Sequence, residues 1–201
     1  MRTNAADWHR LLCPVTPQLV LSGDLAHDRN EARSQLAQWS RAGITHIVDV
    51  RSEEDDEWFV NLHAPHITYH WLGVDDDGTP RDHEWFEAGV TSIRAAWRQP
   101  SAKVLVHCQM GMNRGPSMGY AAMLATGWDP IEALVAIRAA RPIAKTFYAP
   151  DAVAWWLERG GAPAALIAAE TDRVSAWLNA HPTYLTWITP DTSPQPTLEH
   201  Y

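Results

Sequence analysis

Short apolar, β-branched runs alternate along this chain with longer stretches of helical spacing, and that alternation limits the folds open to it more than any other feature. Gln18–Leu21, Ile44–Val50, Ile67–Leu72 and Lys103–His107 read as strands, and ITHIVDV at 44–50 is apolar enough to be a buried one. Between them, Glu31–Ala42 places Ala32, Leu36 and Trp39 at helical spacing and is closed by Gly43. His83–Trp97 does the same with Trp85, Phe86, Val90, Ile93 and Trp97. After the last strand helices take over: Pro116–Ala125, Pro130–Ala140 and Pro150–Glu158, each opening on a proline, and Pro163–Ala180 beyond the Gly160-Gly161 break. This order predicts an α/β fold with a central, mostly parallel sheet flanked by helices. Ligands of such sheets bind beyond the carboxyl ends of the strands.

The 201 residues suit one domain of ordinary size with room for an appendage. A chain of this length buries roughly 70% of its unfolded surface, so it needs no disulfides to fold. Its two cysteines, Cys13 and Cys108, make neither a disulfide framework nor a zinc site, and they point to a reducing, cytoplasmic setting. Met1–Cys13 lacks the apolar core of a signal peptide, and no stretch approaches the length of a membrane span. The formal net charge of -8 argues against nucleic acid as a partner. It leaves room for a local basic pocket. The charged run Arg51, Glu53, Glu54, Asp55, Asp56, Glu57 reads as a solvated loop or helix start. His63, His66 and His70 do not sit with a carboxylate in a zinc pattern, so no metal is expected. The many tryptophans, Trp155 and Trp156 among them, read first as core anchors.

The segment that carries chemistry is HCQMGMNRGPS at 107–117. It lies between a predicted strand end and a predicted helix start. A loop in that position curls so that successive backbone N–H groups point inward, and the helix dipole adds partial positive charge. Gln109, Met110, Gly111, Met112 and Asn113 would supply those N–H groups, with Gly111 permitting the curl. Cys108 would lie beneath them, in a field that favours a thiolate nucleophile. Arg114 would close the ring, its planar fork matching two phosphate oxygens. Asn113 also offers a side chain able to brace the loop.

The pattern His107, Cys108, five residues, Arg114 resembles the active-site motif of the cysteine-dependent protein tyrosine phosphatase superfamily, most nearly its dual-specificity branch. The resemblance runs from about Gln18 to Glu158 and includes LVLSGDLA (19–26), GITHIVDVR (43–51), VLVHCQMGMNR (104–114) and AIRAARP (136–142). It implies a catalytic domain over 18–160, an N-terminal segment over 1–17, and a helical extension with a frayed tail over 161–201. It also implies hydrolysis of phosphomonoesters, in phosphorylated proteins first of all, through a cysteinyl-phosphate and without a cofactor. Cys108 would be the nucleophile, residues 109–114 the phosphate cradle, and His107 a support whose ring bonds the loop backbone. A general acid is expected on the loop VDDDGTP at 74–80. Asp76 is the first choice, with Asp75 and Asp77 as alternatives.

Two positions depart from the family pattern. Gly115 stands where a serine or threonine normally helps to discharge the phosphoenzyme, and Ser117 lies two residues further on. Ala144-Lys145-Thr146 stands where many relatives carry a Pro-Asn pair. The first departure keeps a second reading open, a phosphate-binding module with negligible turnover. A third reading, a rhodanese-like sulfurtransferase, shares the cysteine and nest but does not call for Arg114 or an upstream aspartate.

Overall fold

The four predicted strands form the parallel part of a five-stranded sheet in the computed structural model, which describes residues 8–183. In chain order the strands are β1 (Cys13–Pro14), β2 (Leu19–Ser22), β3 (His46–Arg51), β4 (Thr68–Val74) and β5 (Val104–His107). Their spatial order is β1-β2-β5-β3-β4, with β2, β5, β3 and β4 parallel and β1 antiparallel to β2. The sequence offers no pattern for β1. It is two residues long and carries Pro14, which an edge strand tolerates because proline has no N–H for the ladder.

Side chains alternate across the sheet and divide the core in two. Val20, Ile47 and Leu105 face one layer, made by α1 (Arg29–Arg41) through Leu36 and Trp39 and by α2 (Glu57–His63) through Phe59 and Val60. Leu19, Leu21, Val48, Val104 and Val106 face the other. That side is covered by α3 (His83–Trp97), α4 (Arg114–Leu124), α5 (Pro130–Ala140), α6 (Ala149–Arg159) and α7 (Ala164–Ala180). Helix α4 is buried along its whole length, and α7 contributes Val174 to the same core. Local chemistry fixes the helix starts: Asp28 accepts from the N–H groups of Asn30 and Glu31, and Asp129 does so for Ile131 and Glu132 with Pro130 in the first turn. Gly43, at φ 83°, ends α1. Among the described residues no helix is long and apolar enough to cross a membrane. The expected frayed segment 190–201 lies outside the described residues.

The charged run at 51–57 is solvated at Glu53, Glu54, Asp55 and Glu57 and leads into a helix start, as its composition predicts, but its Arg51 and Asp56 correct the expectation. Arg51 and Asp56 are buried, and α2 begins at Glu57. Arg51 Nε donates to Asp49 Oδ2 at 2.8 Å, and a terminal nitrogen donates to Asp56. The Tyr69 hydroxyl donates to Asp49 Oδ2 at 2.7 Å and accepts from the Asp56 N–H at 3.0 Å. Asp49 and Arg51 share the parity of Ile47, so they face the α1 layer at the carboxyl end of β3. Their joint burial is tolerable only because each charge is paired and hydrogen-bonded. Arg51→Met would strand two carboxylates there. We expect it to lower stability by about 3–5 kcal/mol, measured by urea denaturation; a loss under about 1 kcal/mol would place the network in water's reach.

Candidate active site

Residues 108–113 join β5 to α4, and the carbonyls of Gln109, Met110, Gly111 and Met112 are each held by a partner outside the loop. The carbonyl of Gln109 accepts from the Asp24 N–H at 3.0 Å and that of Met112 from the Lys145 N–H at 2.7 Å. The carbonyls of Met110 and Gly111 accept from the Arg141 guanidinium, the first at 2.9 Å. Turning four successive carbonyls outward leaves the amides facing inward, and α4 begins immediately after them: an anion nest backed by a helix N-terminus. Gly111 is obligatory on two counts. Its φ is 61°, and a Cβ there would lie 2.4 Å from the Ser22 carbonyl oxygen. Cys108 lies at the base of the loop, buried.

The loop forms one side of an open pocket of about 360 Å³, whose other side is Ser52, Glu53, Asp75 and Asp76. Both terminal nitrogens of Arg114 bind Glu53, at 2.6 and 2.7 Å, and one also donates to the Val74 carbonyl at 2.9 Å. Burial alone would depress the Arg114 pKa. The Glu53 hydrogen bonds and the charges of Cys108, Glu53 and Asp76 outweigh it and raise the value. The Arg114 bond in turn holds the Glu53 carboxyl below its ordinary range.

The three aspartates of the 74–80 loop are set apart by their partners. Asp77 turns outward to Thr79 and Arg81. Asp75 accepts from the Ser52 hydroxyl at 2.6 Å. Asp76 alone bonds to the 108–114 side: its Oδ1 accepts from Asn113 Nδ2 at 2.6 Å and from the Tyr148 hydroxyl at 2.9 Å, while Oδ2 lies 3.6 Å from Arg114 Nε. Asn113 is two-headed, since its Oδ1 accepts from the Phe147 N–H at 2.7 Å. Tyr148 also receives the Gly78 N–H at 3.3 Å, so the aspartate loop is fastened to the start of α6.

Four site residues escape a reading of the sequence. Glu53 lies inside the charged run. Ser52 has no distinguishing neighbour. Arg141 looks like an ordinary helix end, yet it is fully buried and holds two loop carbonyls. Tyr148 carries no motif; its only signal is proximity to the Ala144–Thr146 departure.

His107 differs from its expected contacts. Its ring faces Asp49, with Nε2 3.6 Å from Oδ2, and tilts on Trp39; Nδ1 has no hydrogen-bond partner in the protein. The ring shares the sheet face of Asp49 and Arg51, which draws it away from the loop backbone. Burial lowers its pKa, keeping it neutral. At Gly115 the constraint is space rather than φ: a Cβ there would lie 3.2 Å from the Cys108 nitrogen and 3.2 Å from the His107 carbonyl carbon. Ser117 does not replace the missing hydroxyl, because its buried Oγ has no hydrogen-bond partner.

The family model for the dual specificity phosphatase catalytic domain matches residues 29–147, more than half of the chain. A 63-residue stretch is 33% identical to human dual specificity protein phosphatase 5, covering 31% of this chain and 16% of that protein. Among solved structures, human DUSP28 is similar at 22% identity and TM-score 0.60, over 74% of this chain and 95% of that one. DUSP15 is similar at 25% identity and TM-score 0.57, over 82% and 95%.

Thr146 bears the cost of the second departure. It is fully buried at φ 55°, in the left-handed region that β-branched residues resist, and its hydroxyl has no partner. Its place is fixed because the N–H groups of residues 145–147 hold Met112 and Asn113. Thr146→Asn should stabilise the fold by about 1 kcal/mol, a rise of about 2–4 °C in Tm for a chain of this size. A fall in Tm by calorimetry would show that the threonine methyl contributes more than the strain costs.

Proposed function

Since the chain belongs to the dual specificity phosphatase catalytic-domain family, we propose that it hydrolyses phosphomonoesters through a phosphocysteine, with phosphotyrosine, phosphoserine and phosphothreonine of cytoplasmic proteins as substrates. The observation that carries this reading is the loop over Cys108 whose carbonyls at 109–112 are all held from outside, with Arg114 and Asp76 beside one another in the same pocket.

In the first step the Cys108 thiolate attacks phosphorus as the bond to the leaving oxygen breaks. Asp76, protonated, gives its proton to that oxygen. The loop amides and Arg114 bind the equatorial oxygens, whose charge is greatest in the transition state. Glu53 holds both terminal nitrogens of the guanidinium, which leaves Nε as its one nitrogen without a hydrogen-bond partner. In the second step Asp76 takes a proton from water, the resulting oxygen attacks phosphorus, and the sulfur–phosphorus bond breaks to release inorganic phosphate and thiolate. The catalytic unit is the segment 18–160; α7, from the 161–201 extension, packs on its core. Arg114 is the loop's only cation, which favours monophosphorylated groups over polyphosphorylated ones. The convergence of Cys108, Arg114 and Asp76 favours turnover over a silent binding module, and an aspartate at the leaving-group side has no use in sulfur transfer.

Cys108→Ser should abolish turnover of an aryl phosphate while keeping vanadate binding, since the hydroxyl lacks the thiolate's nucleophilicity but the nest is intact. Activity near wild type would end the covalent mechanism. Asp76→Asn should slow cleavage of a poor leaving group by roughly 10²–10⁴-fold and affect a good one less. If Asp75→Asn shows that loss instead, the acid is Asp75. With no hydroxyl at 115, stopped-flow mixing should show a burst of aryl alcohol before a slow steady state, as an accumulating phosphoenzyme gives. A trace without a burst would mean that the second step is not limiting.

A further inference from the structure

Beside the catalytic pocket lies a second, larger groove of about 580 Å³, formed where α7 meets the end of α5 and the start of α6. Its only charged lining residues among those described are two cations, Arg138 and Lys145, on a chain whose formal net charge is -8. Their partners are neutral. Arg138 donates to the carbonyls of Ala144, at 3.2 Å, and His181, and stacks over the Trp177 ring at 4.7 Å. Lys145 Nζ sits 5.4 Å from the centre of the Phe147 ring. The Arg138 guanidinium is thus held in a fixed orientation before any anion arrives, which reduces the entropy lost on binding one. Burial lowers its pKa, and no carboxylate opposes that shift.

The groove adjoins the catalytic loop directly. The N–H of Lys145 holds the Met112 carbonyl and the N–H of Phe147 holds Asn113, and Met112 and Asn113 line the catalytic pocket. Ser175 and Asn179 add hydrogen-bonding groups, and Phe147 and Leu178 add apolar surface. We infer that this groove is a docking subsite for an acidic peptide segment next to the phosphorylated residue of a protein substrate. The inference rests on the phosphatase reading of the neighbouring pocket. Charge complementarity selects an acidic occupant, and the mixture of cations, hydroxyl, amide and apolar groups suits consecutive side chains of a peptide better than a compact polyphosphate.

The test uses the full chain and three substrates: a phosphotyrosine peptide flanked by glutamates, the same peptide with glutamines, and a small aryl phosphate. Asn179 is exposed in the last turn of α7, outside the catalytic pocket, so its charge can be set without touching the chemistry. Asn179→Glu should lower kcat/KM for the acidic peptide by about two- to fivefold and Asn179→Lys should raise it by a similar factor, as for a partly exposed ion pair. The aryl phosphate, too small to reach the groove, should not respond, the glutamine peptide should respond less than the acidic one, and high salt should erase the difference between the peptides. Arg138→Gln should cost the acidic peptide about tenfold, with a melting curve confirming its fold. Equal responses of acidic and neutral peptides would overturn the subsite. If the wild type turns over no aryl phosphate, it is the phosphatase reading that fails. The groove is then judged by fluorescence anisotropy of the unphosphorylated acidic peptide: weakening by Asn179→Glu supports it, and indifference to both Asn179 variants overturns it.

Discussion

A single buried guanidinium organises the phosphate loop and the chain around it. Arg141 is fully buried at the end of α5, where it donates to the Met110 and Gly111 carbonyls of the loop and to the His9 and Leu11 carbonyls of the N-terminal segment, and touches the Cys13 sulfur. Taking a cation out of water costs several kcal/mol unless its donors are satisfied. Here carbonyl oxygens do that work, and they are the oxygens that must face outward if the amides are to face the substrate. The same bonds draw residues 9–13 against the loop, which explains why a segment without sequence pattern adds strand β1 to the sheet. Gly111 completes the constraint, since any side chain there would meet both Ser22 and Arg141.

The pocket that results is shaped for an anion by its loop yet rimmed by carboxylates. Glu53 takes both terminal nitrogens of Arg114, and Asp76 approaches its Nε. An anion entering the nest therefore meets a guanidinium already neutralised, and must draw much of its binding from the backbone amides and the start of α4. This arrangement favours orientation over raw affinity. The planar fork is fixed by Glu53 before substrate arrives, and the aspartate is fixed by Asn113 and Tyr148, so little ordering is left for the transition state.

What the sequence discloses and what it conceals follow from the range of the interactions. Strands β2–β5 and helices α1 and α3–α7 are written in local periodicity and caps, so they fall where periodicity puts them. The loop from Cys108 to Arg114 is equally local, a strand end, a glycine and a helix start. The family resemblance puts Asp76 first of three aspartates, and it is Asp76 that lies against Asn113 and Arg114. The concealed part depends on distant partners. Nothing in Arg51–Glu57 distinguishes a solvated run from one whose first arginine and last aspartate close on Asp49 and Tyr69, since composition is identical in the two cases. Arg141 and Tyr148 are silent for the same reason: their partners lie up to 132 and 72 positions away.

Gly115 shows how packing and chemistry constrain one another at the start of α4. A Cβ at this position would press on the peptide joining His107 to Cys108. Glycine lets the first turn of the helix rest directly on that peptide, which brings the positive end of the helix close to the sulfur. A hydroxyl at the same place would need the helix to stand off by a few tenths of an ångström. The chain has the close approach and forgoes the hydroxyl. In the proposed mechanism, stabilisation of a sulfur anion then falls to amides and dipole. Neither supplies a hydrogen bond specific to the leaving sulfur. Of the two steps of the proposed mechanism, the second is therefore the one this packing leaves less assisted.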